Sequence, residues 1–165
     1  MSSSENTKHL VIMLNDLAII NKDRVEGYKK AEKQVGEHSD LRSLFREKFN
    51  QSEEFISDLQ SRIKELGANH SVDTSLAGKI FRAWMGIKNT FKPNDATSIL
   101  DSCEFGENAA IKAYDDVLRS DIEIPAGVRQ QILEQQTAIK KSYDMIKKYG
   151  DLNLNFFTYN KSFTS

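Results

Sequence analysis

The sequence predicts an all-α protein: an antiparallel four-helix bundle with a long crossover, containing a short helix, between its second and third members. Three observations predict it. The 165 residues include only two prolines and eight glycines, with 39% hydrophobic and 28% charged residues, a composition that suits long helices and not a turn-rich β protein or a disordered chain. Apolar residues recur in steps of three and four through four separate stretches, the period of a helix face turned to a core. The breaks between those stretches are short, long and short, which makes antiparallel neighbours on either side of one crossover. A chain of this length buries enough apolar surface as one domain to need no disulfide or structural metal.

The first helix is expected from His9, after a flexible segment 1–8, with the stripe Leu10, Leu14, Leu17, Val25, Tyr28, Ala31 and Val35, and Gly36 as its end. Ser39 or Asp40 is placed to cap the second helix, whose stripe is Phe45, Phe49, Ile56, Leu59, Ile63 and Leu66 before Gly67 stops it. Residues 68–94 are the crossover: GANHSVDTS is a loop signal, and LAGKIFRAWMGIKNTF is a short amphipathic helix that Lys92, Pro93 and Asn94 break. The third helix carries Leu100, Cys103, Ala110, Tyr114 and Val117 on one face. Pro125 suits the first position of the fourth, which shows Val128, Ile132, Ile139, Ile146 and Tyr149 and is expected to end at Gly150. The bundle thus spans 9–149. Residues 150–165 have four aromatics and no helical period, and read as a tail, either disordered or docked in a groove on the bundle or on a partner. One long crossover between the second and third helices is the connectivity of ferritin-like folds.

A weak internal echo relates the two hairpins. Aligning Tyr28 with Tyr114 places Leu14 on Leu100, Leu17 on Cys103, Asn21 on Glu107 and Val25 on Ile111.

Charge and cysteine usage exclude several function classes. Lys and Arg total 23 against 24 Asp and Glu, so no basic field exists to hold nucleic acid. One cysteine cannot pair internally, and His9, His38 and His70 lie too far apart in sequence for a zinc motif. No basic segment leads into a long apolar run, and no stretch approaches the length of a membrane span. The expectation is a cytoplasmic protein.

The most informative feature is a polar layer. Written as alternating steps of three and four, the four stripes have polar residues at four inward positions, Asn21, Ser52, Glu107 and Gln135, each near the middle of its helix. In an antiparallel bundle these meet at one height. A buried carboxylate costs several kcal/mol unless it is paired, hydrogen-bonded, protonated or bound to a cation, so Glu107 needs a partner. The amides of Asn21 and Gln135 and the hydroxyl of Ser52 are three neutral donors able to satisfy it. On that reading Glu107→Gln is tolerated or stabilising. The rival reading is a metal centre. Ferritin-like di-iron and di-manganese proteins use an inward Glu from each of two helices and a Glu-x-x-His pair from each of the other two. Here the first helix offers Asn21, the second Ser52-x-x-Phe55, the third Glu107 and the fourth Ile132-x-x-Gln135, one carboxylate where six ligands are wanted. An iron or manganese site would have to recruit Glu104 and Glu26 from the edges of the stripes beside Glu107. No cofactor is expected.

Other signals carry less. Glu104 and Glu107 stand at helical spacing but with no nucleophile, oxyanion hole or cofactor loop, so no catalytic residue is assigned. Gly27 and Gly106 inside helices point to close helix approach. Cys103, on an inner stripe, reads as a small hydrophobe. In the crossover, Ile80, Phe81, Trp84, Met85, Ile87 and Phe91 form an apolar face rimmed by Lys79, Arg82, Lys88 and Lys92. That face reads as a cap over the bundle, with a membrane surface as the alternative.

The stretches LNDLAIINKDRVEGYKKA, KIFRAWMGIK and ILDSCEFGENAAIKAYDDVL followed by IPAGVRQQILEQQ carry a family resemblance over about residues 10–149. The chain resembles the bacterial four-helix-bundle proteins grouped with the ferritin-like superfamily as a domain of unknown function, DUF2383. The resemblance implies a ferritin-like bundle of bacterial origin, and it transfers no catalytic residue. The expected function is a noncatalytic bundle, stress-associated or an interaction protein, acting through an unidentified protein partner or self-association. The alternatives are a divergent metalloprotein with a reduced site at Glu107, and a small-molecule or lipid binder with a pocket under the crossover, lined by Trp84 and Phe91.

Overall fold

The computed structural model of the protein describes residues 2–36, 39–68 and 95–163, the side chains of Ser39 and of 154–163 excepted. Four helices make up these residues: α1, Ser3–Gln34; α2, Ser39–Glu65; α3, Ala96–Leu118; and α4, Ala126–Phe163. The crossover lies outside the described residues, and with it the predicted short helix, the apolar face from Ile80 to Phe91 and the pocket between Trp84 and Phe91.

α1 packs along α2, α3 along α4, and α1 against α3, while α2 touches α4 lightly. Pairing across the interfaces gives the directions. Arg24 meets Ser52 and Glu32 meets Arg46, so α1 and α2 are antiparallel. Asn6 meets Glu123 and Arg24 meets Glu107, so α1 and α3 are antiparallel. Tyr114 meets Gln135 and Asn153 meets Thr97, so α3 and α4 are antiparallel too. The order is up, down, down, up, with α2 and α3 running the same way.

Helix ends follow local chemistry. Ser2 caps α1 by accepting a bond from the Glu5 amide at 3.2 Å, as the Ser-x-x-Glu spacing favours. The helix therefore starts at Ser3 and not at His9. Asn6 then ties this end to the α3–α4 turn, donating to the Glu123 carbonyl at 2.9 Å and accepting from its amide at 3.0 Å, and residues 3–8 form the first turns of α1. Gly36 and Gly67 take positive φ, 67° and 81°, as the turns after α1 and α2 require. Asp95 caps α3, accepting from the Ser98 amide at 3.3 Å. Ser39 opens α2 as its first residue, and α4 begins one residue after Pro125.

The fourth helix does not stop at Gly150. It runs to Phe163: glycine lowers helix stability by only about 1 kcal/mol and is no breaker where a tertiary contact holds the next turn. Here Asn153 Nδ2 donates to Thr97 Oγ1 at 2.6 Å.

The core is divided in two. Leu10, Leu14, Leu17, Leu59, Ile63, Val117, Val128 and Ile132 belong to one apolar cluster, and Tyr28, Val35, Phe45, Leu100, Cys103 and Ile146 to the other. The predicted stripes enter these clusters except at Val25, which is buried outside both, at Ile56, which is half-buried, and at Tyr149. Lys48 is buried on α2 where the stripe named the half-buried Phe49, and Tyr149 is 36% exposed on the flank of α4.

Gly150 sits in open space, with nothing within 4 Å of an added Cβ. Gly150→Ala is expected to stabilise the protein by about 0.5–1 kcal/mol through helix propensity alone, measured as a rise in the thermal midpoint. Gly67→Ala, at φ 81°, is expected to lower it.

Candidate functional site

Between the two apolar clusters lies a layer of polar side chains from all four helices. Asn21, Ser52 and Glu107 are fully buried and Gln135 is 3% exposed. All four belong to one hydrogen-bonded network, yet they do not contact each other as a closed set. Two residues that sequence reading did not assign to the layer join them, Arg24 and Tyr114.

Arg24 stands at the centre with no solvent exposure. Its Nε donates to Glu107 Oε1 at 2.6 Å and its Nη2 to Glu107 Oε2 at 2.9 Å, a two-pronged ion pair between α1 and α3. Nη1 donates to Ser52 Oγ at 2.7 Å and, at a long 3.4 Å, to Asn21 Oδ1. A further long contact, 3.5 Å, joins Nη2 to Gln51 Oε1 on α2. A guanidinium has five N–H groups, and these five contacts engage each of them. The ring of Tyr28 lies 5.8 Å from the Arg24 carbon Cζ and adds a cation–π contact.

The network then runs outward. Asn21 Nδ2 donates to the Leu17 carbonyl at 2.9 Å and to the Tyr114 hydroxyl at 2.7 Å, and that hydroxyl donates onward to Gln135 Oε1 at 2.7 Å. The chain ends at Gln135 Nε2, which is buried with no hydrogen-bond partner among the described residues. The contacts also follow the internal echo, which exchanges Asn21 with Glu107 and Tyr28 with Tyr114. Asn21 bonds to Tyr114, and Glu107 acts electrostatically on Tyr28.

Taking either charge out of water costs several kcal/mol, and attraction repays it only with good geometry and with the remaining hydrogen-bonding groups satisfied. Both conditions hold here. Burial alone would lower the affinity of Arg24 for its proton, but the adjacent charge of Glu107 and the bonds to it outweigh that and raise it, so the guanidinium stays charged. Burial first, and then the Glu107 charge, hold the Tyr28 phenol well above its ordinary value, while burial raises that of Tyr114.

Glu104 and Glu26 do not join Glu107. Glu26 is exposed, and Glu104 is half-buried beside Tyr143, whose hydroxyl donates to it at 3.3 Å. No group of three or more His, Cys, Asp or Glu side chains able to hold a metal occurs among the described residues. Cys103 is buried in the apolar cluster with Tyr28, and Gly27 and Gly106 are buried in α1 and α3.

The described chain is thus a four-helix bundle whose core is interrupted by an ion pair and its hydrogen-bond network. Residues 10–120, about two thirds of the chain, match the family described as Domain of unknown function (DUF2383), and the chain belongs to that family. The match takes in Asn21, Arg24, Ser52, Glu107 and Tyr114 and stops short of α4 and Gln135. No curated protein and no solved structure matches the chain. No helix among the described residues is long and apolar enough to cross a membrane.

The ion pair reverses the expectation for Glu107→Gln. That change leaves Arg24 charged and buried without its counter-ion, and is expected to cost about 3–5 kcal/mol of stability. Arg24→Met alone, which strands the carboxylate, should cost a similar amount. The double variant Arg24→Met, Glu107→Met should recover most of the loss, because the cost lies in the unpaired charge. Urea unfolding of the three variants measures the coupling.

The tyrosines give a pH signature. A folded pKa above the ordinary 10 means that the fold holds the phenol proton more tightly than the unfolded chain does. Their contribution is intact below pH 10 and is lost as pH rises beyond it, with a slope of up to about 1.4 kcal/mol per pH unit for each tyrosine. Absorbance titration near 295 nm should show Tyr28 and Tyr114 ionising late, together with unfolding.

Proposed function

We propose that this protein is a noncatalytic bundle of ferritin-like architecture whose centre is occupied by a hydrogen-bonded ion pair in place of a di-metal site. It acts through its surface, as an interaction or stress-associated protein. The observation that carries this reading is the position of Arg24. Its guanidinium engages both oxygens of Glu107, the one carboxylate on the predicted inward positions. A divalent cation there would displace or face a fixed positive charge, at a separation where like charges repel strongly in a buried setting. Of the ligands a metal would need from the edges, Glu26 is exposed and Glu104 accepts a hydrogen bond from Tyr143.

The connectivity supports the architectural half of the proposal. Parallel α2 and α3 flanked by antiparallel partners are what a single long crossover produces, and the match to a family of unknown function is compatible with it. The network supports the other half, since its hydrogen bonds join side chains of all four helices.

Elemental analysis tests the proposal. Untagged protein is incubated with ferrous iron, manganese or zinc and desalted, and the expected result is retention far below one equivalent. Near-stoichiometric retention that disappears in the folded Arg24→Met, Glu107→Met variant would make the protein a divergent metalloprotein.

A further inference from the structure

Toward its C-terminal end α4 carries an apolar line on its exposed flank. Met145, Tyr149 and Leu152 are 41%, 36% and 59% exposed and wall an open groove with Lys141, Asp144 and Lys148. They follow one another by four and three residues, and the same alternation continues along the helix through Phe156, Tyr159 and Phe163. Six apolar positions in alternating steps of four and three have the pattern of a coiled-coil seam. The seam is separate from the core line of the same helix, Ile132, Ile139 and Ile146, which is buried. It is also narrow. Residues placed on a membrane surface spread over a broader arc of a helix, whereas a strict two-in-seven line suits a second helix.

Geometry gives each half of the line a different need for cover. Asn153 pairs with Thr97 in the first turn of α3, so 154–163 extend α4 by ten residues, roughly 15 Å, past the start of α3. The half from Met145 to Leu152 lies on the flank of the bundle. The two halves match when the line is laid antiparallel on a copy of itself: Met145 falls opposite Phe163, Tyr149 opposite Tyr159 and Leu152 opposite Phe156.

We propose that this line is the interface of a symmetric antiparallel homodimer, in which the end of each α4 lies along the Met145–Leu152 stretch of the second copy. The arrangement is isologous and closes at two chains. It sets the two bundle bodies on opposite sides of the axis. Residues 152–160 carry no charge, so nothing along the middle of the seam repels the copy. The proposal rests on the reading of the bundle as an interaction protein and names its partner as a second copy. A monomeric chain that retains no metal would sink the dimer and leave that reading standing.

Sedimentation velocity on the full chain at tens of micromolar tests it. The expected mass is twice the chain's 18.8 kDa, falling to the single-chain mass in Leu152→Glu with unchanged helix content by circular dichroism. Met145→Lys and Phe163→Glu should each weaken the dimer and together restore it, since an antiparallel seam sets those positions face to face. A monomeric full chain overturns the proposal, as does a dimer indifferent to Leu152→Glu. Failure of the Met145→Lys, Phe163→Glu pair to restore association overturns the antiparallel arrangement. A monomer that sediments with phosphatidylserine vesicles, and loses that in Leu152→Glu, assigns the line to a lipid surface instead.

Discussion

A guanidinium and a carboxylate, both shut off from water, hold each other at mid-height in the bundle, and the rest of the fold is arranged around the need to keep that pair complete. Arg24 and Glu107 bring α1 and α3 together through two charged hydrogen bonds. Ser52 and Gln51 bring in α2, and Asn21 with Tyr114 carries the network to Gln135 on α4. Hydrophobic clusters alone tolerate a helix sliding by a turn, because one leucine replaces another at little cost. A bidentate ion pair does not, since a shift of one turn strands two charges. The layer therefore fixes register more than it adds net stability, in keeping with the modest or unfavourable net energies of buried ion pairs.

Most of the fold is legible in the sequence because amphipathic period and turn chemistry are local. The inward lines of α1, α3 and α4 emerge from their spacing alone, and Gly36 and Gly67 mark turns because they take conformations that side chains resist. The ends were less legible, for the same reason reversed. Ser2 with Glu5 is a capping pair whose signal is drowned by a run of polar residues, and the anchor that makes it a helix, the Asn6–Glu123 pairing, lies 117 residues away. At the other end Gly150 looks like a stop, but the contact of Asn153 with Thr97 carries the helix through.

The candidate site was half legible. Asn21, Ser52, Glu107 and Gln135 stand out as polar interruptions of apolar lines, but Arg24 hides beside Val25, which fits the line nearly as well and looks like a core residue. A strict alternation of four and three from Leu10 runs through Leu14, Leu17, Asn21, Arg24, Tyr28, Ala31 and Val35. It selects arginine where composition selects valine. The need of Glu107 for a partner was the second signal, and a cation on a facing helix answers it more completely than three neutral donors. Tyr114 fits the core line of α3 by its spacing, and its hydroxyl serves the network as well.

The central claim is that Arg24 is charged, desolvated and bound to Glu107 in the folded protein. The measurement that bears on it most directly is nitrogen-15 NMR of the arginine Nε–H groups, with their exchange rates in water. The expected result is one arginine whose Nε proton exchanges only as fast as the protein opens and whose signal vanishes in Arg24→Met. Rapid exchange of every arginine Nε proton in the folded protein would mean that water reaches Arg24, and would contradict the account.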